Sequence, residues 1–158
     1  MTTSIIQKAL QSNGGTASLV LRVPVGIILA AHGSQKLFGW FGGYGLEGTG
    51  QWMASIGLEP GYLMALMAGS AEFFGGLALL IGLLTRPAAI VAAFTMLVAM
   101  LTVHIGNGLF MSNNGIEFAL SLLAITVALA ILGGGRLSVD NVLTNRTERS
   151  PLTAQQAA

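Results

Sequence analysis

Cysteine is absent from the 158-residue chain. Without a thiol, the protein forms no disulfide, uses no cysteine nucleophile and holds neither cysteine-ligated zinc nor a cysteine-ligated iron–sulfur cluster. A redox function would therefore require a bound cofactor or a partner subunit that supplies the redox centre.

Charged residues are scarce as well. They make up 8% of the chain and hydrophobic residues 53%, whereas soluble domains carry about 25% charged residues. So few charges cannot cover a surface that faces water, and lipid is expected to cover much of the exterior. The formal net charge of +1 argues against nucleic acid as a partner, because phosphate binding requires clustered Lys and Arg.

Four long apolar stretches predict an all-α, polytopic membrane four-helix bundle. Each is close to the roughly 20 residues that a helix needs to cross a hydrocarbon core about 30 Å thick. Backbone groups in lipid must pair within their own segment, which favours helices over strands. The helices are predicted at residues 17–37, 61–84, 87–110 and 116–134, within a transmembrane domain at 17–140 that follows residues 1–16 and precedes a polar, disordered tail at 141–158.

The connection between the first two predicted helices, residues 38–60, is rich in glycine and aromatic residues. Glycine permits sharp bends, and Trp and Tyr favour the level of the lipid headgroups. We interpret this segment as an extracytoplasmic interfacial loop with a short amphipathic helix at residues 49–56. A re-entrant cap over the bundle is the alternative.

Basic residues are distributed unevenly between the two ends of the predicted bundle. One end holds Lys8, Arg22, Arg86, Arg136, Arg146 and Arg149. Only Lys36 lies at the other end, so the positive-inside rule places both termini in the cytoplasm. We interpret Arg22 and Arg86 as determinants of this orientation, and Lys36 as an anchor whose ammonium group reaches the membrane surface.

Ionisable side chains within the helices are the candidate functional groups. At a rise of 1.5 Å per residue, Glu72 lies near the midplane, His32 and His104 lie in the outer half, and Glu117 opens the fourth helix. Because an uncompensated charge in lipid is costly, these side chains should face one another and form a polar pocket open to the outer leaflet. Other roles stay open: Glu117 could complement the helix dipole, and a histidine or a protonated Glu72 could simply bridge helices.

A metal site is not predicted. The two histidines, Glu72 and Glu117 have side chains of the type that bind metals, but they lie on four helices with no spacing that indicates convergence. The small residues that flank Glu72 have a simpler explanation, since they allow a neighbouring helix to approach closely. They are Ala68, Gly69, Gly75 and Gly76.

Five motifs together resemble the signature of the DoxX family. They are HGSQKLFG at 32–39 followed by FGG at 41–43, AEFFGG at 71–76, GLLTR at 82–86, VHIGNG at 103–108 and GRLSVD at 135–140. The resemblance covers about residues 19–141 and implies a four-helix, multi-pass protein of the bacterial inner membrane. Through the motifs it also adds Gln35, Lys36 and Asn107 to His32, Glu72 and His104 as pocket residues.

The resemblance implies a quinone-linked or auxiliary membrane component of an oxidoreductase or redox-stress system. A histidine could donate a hydrogen bond to a quinone oxygen and Glu72 could relay protons, but the chain is not expected to be a complete enzyme by itself. One alternative is a small-solute transporter that acts as a homo-oligomer. Another is a non-catalytic assembly subunit that binds a membrane protein partner through small-residue faces.

Overall fold

The computed structural model describes residues 10–145 and confirms the predicted all-α fold, with no strand in that range. The helices are α1 (Ala17–Phe38), α2 (Gly45–Ser55), α3 (Gly61–Ile81), α4 (Thr85–Ala99) and α5 (Glu117–Leu132). Helix α4 continues through a π-helical turn (Met100–His104) and a 3-10 turn (Ile105–Asn107). Residues 139–145 are helical too, and they include the first five residues of the predicted tail. The expectations for residues 1–9 and 146–158 lie outside the described residues.

Three helices are long and apolar enough to cross a bilayer: Ala17–Phe38, Gly61–Ile81 and Thr85–Asn107, with 22, 21 and 23 residues. Helix α5 is apolar but has 16 residues, which span about 24 Å. It ends earlier than predicted because Gly133 adopts a φ of 78°. In the same way, Gly108 at a φ of 80° ends the extension of α4 before the predicted residue 110.

Helices α1 and α3 run antiparallel and approach each other at glycine. A Cβ atom added to Gly26 would lie 2.7 Å from the carbonyl oxygen of Gly76, and one added to Gly33 would lie 2.7 Å from that of Gly69. Both distances are shorter than van der Waals contact, so any side chain would force the two backbones apart. The predicted close approach beside Glu72 is thus found at Gly69 and Gly76, whereas Gly75 faces Ala88 of α4 at an ordinary distance.

An apolar core joins α1, α3, α4 and α5. Its fully buried members include Val25, Leu29, Leu79, Ala89 and Leu129. Large apolar side chains such as Phe74, Phe94 and Ile131 point outward from α3, α4 and α5. An exterior of this kind suits lipid and not water.

Helix α2 lies in the connection between α1 and α3, over a longer range than the predicted 49–56. It packs on the start of α3, where a Cβ atom on Gly50 would lie 2.9 Å from Cα of Tyr62. The preceding segment leaves Trp40, Phe41 and Tyr44 exposed. These rings are amphipathic or apolar and can enter a lipid headgroup layer.

The opposite end of the bundle is closed by Arg22, which is 2% exposed. Its guanidinium group donates hydrogen bonds to four carbonyl oxygens, those of Leu79 (3.1 Å), Leu80 (2.5 Å), Gly134 (3.1 Å) and Leu137. Two acceptors belong to the C-terminal turn of α3, where helix carbonyls lack intrahelical partners. The role of Arg22 in orientation stays a prediction. In addition, its side chain is a buried connection between α1, α3 and the segment after α5.

Asp140 completes this closure from the far end of the sequence and is 1% exposed. Its two carboxylate oxygens accept hydrogen bonds from the backbone amides of Leu84 (2.6 Å) and Thr85 (2.8 Å). These amides open α4, and a carboxylate there satisfies free donors and complements the helix dipole. We call this region the Arg22 end of the bundle, and the opposite region the Lys36 end.

Candidate functional site: a buried ion pair between two helices

Lys36 and Glu72 form an ion pair between α1 and α3. The Nζ and Oε2 atoms are 2.6 Å apart, and the side chains are 23% and 4% exposed. It is the one ion pair found within residues 10–145. The interpretation of Lys36 as a snorkelling anchor was therefore wrong, because its ammonium group turns to a carboxylate inside the bundle and not to the membrane surface.

The backbone contact of α1 and α3 positions this pair. Lys36 lies in the last turn of α1, and Gly69 of α3 faces it: a Cβ atom there would lie 3.2 Å from Cβ of Lys36. Glu72 lies about one helical turn after Gly69, so its side chain meets the ammonium group across the narrow interface. The glycines thus give two charged side chains a fixed separation in a region that water does not solvate well.

The double removal of these charges is expected to be milder than the single removal. Lys36→Met should lower the free energy of unfolding by about 3 kcal/mol, because the Glu72 carboxylate stays buried without its partner. The variant K36M/E72M should recover most of that loss, since apolar side chains replace a buried ion pair with little cost. Denaturant unfolding in detergent micelles, followed by tryptophan fluorescence, measures both values. Equal destabilisation of the single and double variants would contradict the coupling.

His32 and Gln35 lie on α1 near the ion pair but have other partners. The ring of His32 packs against Phe118 of α5, with 5.8 Å between ring centroids, and the residue stays exposed. Gln35 Nε2 donates to the carbonyl oxygen of Phe41 at 3.3 Å. His32 thus connects the turn that carries Lys36 to α5, and Gln35 fastens the aromatic segment to the end of α1.

His104, Asn107 and Glu117 form a second polar group, around the connection from α4 to α5. His104 Nδ1 lies 2.8 Å from the carbonyl oxygen of Asn114, which also accepts from Asn107 Nδ2 at 3.3 Å. The Glu117 carboxylate accepts from the amide of Met111 at 2.5 Å. These bonds hold the loop in place, and His104 is the last residue of the π-helical turn at Met100–His104.

The predicted site residues are therefore divided between two groups. Within residues 10–145, no hydrogen bond or ion pair joins the Lys36–Glu72 pair to the group that contains His104. In the same range no three His, Asp or Glu side chains lie together as metal ligands would. Of all the candidates, Lys36 and Glu72 are the two that the fold brings into direct contact.

Sequence reasoning missed the roles of Arg22 and Asp140. Each stands in a segment that looks like an ordinary membrane boundary, with Arg22 among apolar residues and Asp140 just before a polar tail. A signal was present nonetheless, because Asp140 closes the GRLSVD motif and its hydrogen bonds go to the GLLTR motif. The GRLSVD motif therefore supplies the carboxylate that caps α4, and the GLLTR motif supplies the helix start that is capped.

Comparison with known proteins agrees with this architecture. The chain is 37% identical to "Putative oxidoreductase CatD" of Bacillus subtilis over 78% of its own length and 84% of that protein. It is 37% identical to "Inner membrane protein YqjF" of Escherichia coli, over 81% and 92% of the two chains. It is 31% identical to "Inner membrane protein YphA" of the same organism, over 77% and 86%. No solved structure is significantly similar to the chain.

The family model for DoxX matches residues 17–105, which contain both Lys36 and Glu72. Together with the apolar helices, the inner-membrane relatives support a location in the inner membrane. The match covers more than half of the chain, and relatives of similar length agree with it over most of their sequence. The chain therefore belongs to the DoxX family.

Proposed function

We propose that the protein is a quinone-linked membrane component of an oxidoreductase or redox-stress system, with Lys36 and Glu72 at its ligand site. The observation that carries this proposal is the ion pair buried between two helices of a lipid-covered bundle. Buried ion pairs add little stability over apolar packing. Ionisable groups inside membrane helices therefore usually serve ligand or proton transfer. The oxidoreductase name of the CatD relative agrees with this class of function.

The chemistry of the two side chains suits a quinone head group, which exchanges electrons and protons through its ring oxygens. The Lys36 ammonium group has three N–H donors, and Glu72 occupies one of them. A further donor is available for a carbonyl oxygen of the ligand. The Glu72 carboxylate, next to the same ammonium group, can accept a proton. Because the two side chains do not carry electrons, the electrons must come from a redox centre on a partner subunit, and the proposal therefore includes such a partner.

The remaining candidates are proposed to shape a polar pocket around the pair. His32 and Gln35 precede Lys36 on α1 and would line its near side. His104, Asn107 and Glu117 would hold the loop that borders the pocket at the outer leaflet. In this arrangement both termini face the cytoplasm, and α2 with its aromatic neighbours lies at the outer headgroup level.

Quinone retention tests the proposal directly. Purified wild-type protein should retain membrane quinone that chromatography and mass spectrometry detect after extraction, and Glu72→Gln should reduce the bound quinone at least about tenfold, because a lost charge-assisted contact contributes about 1.5–3 kcal/mol. Glu47→Gln is the matched control, since Glu47 bonds to Gln51 on the exposed surface of α2. Wild-type protein without quinone, or an E72Q variant that retains as much as E47Q, would reject the proposal.

Neither alternative function has a specific observation in its favour. A transporter would need a solute pathway, and four helices are few for one chain. An assembly subunit was expected to present small-residue faces to a partner, but Gly26, Gly33, Gly69 and Gly76 pack against each other inside the chain. The small residues are thus already used for the α1–α3 contact.

A further inference from the structure

Two arginines lie close to the segment 11–15 at the Arg22 end. Arg86 Nε donates to the carbonyl oxygen of Gln11 at 2.8 Å. The backbone amide of Arg136 donates to the carbonyl oxygen of Gly15 at 2.9 Å. The first bond holds the Arg86 side chain, and the second the Arg136 backbone, beside segment 11–15. Each guanidinium group keeps free donors: two nitrogens of Arg86 and all three of Arg136 have no acceptor within residues 10–145.

No acidic side chain compensates these charges within the described part of the chain. Neither arginine forms an ion pair there. The nearby carboxylate, Asp140, is buried and already accepts from two backbone amides. The surface is therefore positively charged, and its charge does not come from side chains that pair with each other.

Exposed apolar side chains follow Arg136 in the chain. Leu137, next to Arg136, is 64% exposed, and Val142 in the following helical turn is 49% exposed. A surface with guanidinium groups beside exposed aliphatic side chains matches a phospholipid, whose phosphate lies next to its acyl chains. Bulk water would not favour the exposed Leu and Val, and a purely hydrocarbon environment would not favour the arginines.

We propose that this surface, formed by segment 11–15, Arg86 and residues 136–142, binds the phosphate groups of anionic phospholipids. The planar guanidinium group binds phosphate through two parallel hydrogen bonds, which lysine cannot reproduce. Such binding would attach the start of α4, the segment after α5 and the segment before α1 to the same lipid headgroups. This inference does not depend on the ligand of the Lys36–Glu72 site.

Lipid titration of the purified full chain tests the proposal. In a neutral detergent, native mass spectrometry should show phosphatidylglycerol bound more tightly than phosphatidylcholine. The variant R86Q/R136Q should weaken phosphatidylglycerol binding about 25-fold and leave phosphatidylcholine binding unchanged, because each arginine near an anionic headgroup contributes about a fivefold preference. R86K/R136K keeps the charge but loses the planar guanidinium group. Its affinity for phosphatidylglycerol should lie between those of wild type and R86Q/R136Q.

The matched control is R146Q/R149Q, which removes the same charge from residues outside the described range. Its effect should be smaller than that of R86Q/R136Q if the lipid occupies the proposed surface. If the two double variants weaken phosphatidylglycerol binding equally, net charge alone explains the interaction and the proposed site is overturned. Equal binding of the two lipids by wild-type protein would overturn the proposal as well, and inorganic phosphate that competes as well as the lipid would reassign the ligand to free phosphate.

Discussion

Replacing Arg22 with methionine is expected to lower the free energy of unfolding by about 4 kcal/mol, the largest single effect in the chain. The substitution keeps the length and apolar stem of the side chain but removes every donor. Four carbonyl oxygens then lose the Arg22 donors, although that of Leu79 keeps a bond from the backbone amide of Gly82. The Asp140 charge also loses the nearby guanidinium group. Unpaired buried polar groups and charges account for losses of this size.

Unfolding midpoints in detergent micelles, together with the amount of protein recovered from membranes, measure this effect. Arg86→Met is the matched control, because it removes the same side chain from a position with one hydrogen bond to Gln11; its cost should stay near 1 kcal/mol. Arg22→Lys should lower the free energy of unfolding by more than Arg86→Met does, since a single ammonium group cannot reach acceptors on three sides. If R22M unfolds at the same denaturant concentration as R86M, the closure of this end does not depend on Arg22.

A methyl group at position 33 is expected to produce the second large effect. In Gly33→Ala the added Cβ atom would lie 2.7 Å from the Gly69 carbonyl oxygen and from Cα of Phe73. These are backbone atoms that no rotamer change can move, so α1 and α3 must separate. Overpacking of this kind costs about 3 kcal/mol, and it should also lengthen the Lys36–Glu72 contact.

Gly106→Ala provides the control for this prediction. Gly106 has no atom within 4 Å of an added Cβ and no positive φ, so its change in unfolding free energy should stay within about 0.5 kcal/mol. The double-variant coupling between K36M and E72M should be weaker in a G33A background than in wild type. A G33A protein as stable as G106A would show that the two helices do not meet at this glycine.

Much of the fold could be predicted from hydropathy, because lipid imposes a length and a composition on every helix that crosses it. Helix ends were less certain: Gly108 and Gly133 end helices through positive φ values that hydropathy does not record. Helix α2 was placed in the correct connection, but its start at Gly45 was missed because glycine rarely begins a predicted helix.

The sequence suggested candidate residues for the site but did not show which of them pair. The cost of a charge in lipid singled out Glu72, yet Lys36 was judged by its distance from the helix end and not by its face. Depth along a helix can be counted from sequence, whereas the partner across an interface depends on rotation and on the glycines that set helix separation. For the same reason His32 and His104, which were predicted to lie at similar depth, have unrelated partners.

The wide sequence separation of the Arg22 contacts has a consequence for biosynthesis. Arg22 enters the membrane with the first helix, whereas two of its acceptors, Gly134 and Leu137, follow 112 and 115 residues later. During translation the hydrogen bonds of the guanidinium group are complete only after the last part of the helical domain has been synthesised. A nascent chain released before Gly134 would thus contain all the apolar helices, yet its arginine would have only the acceptors of α3 and would lack two of its four partners.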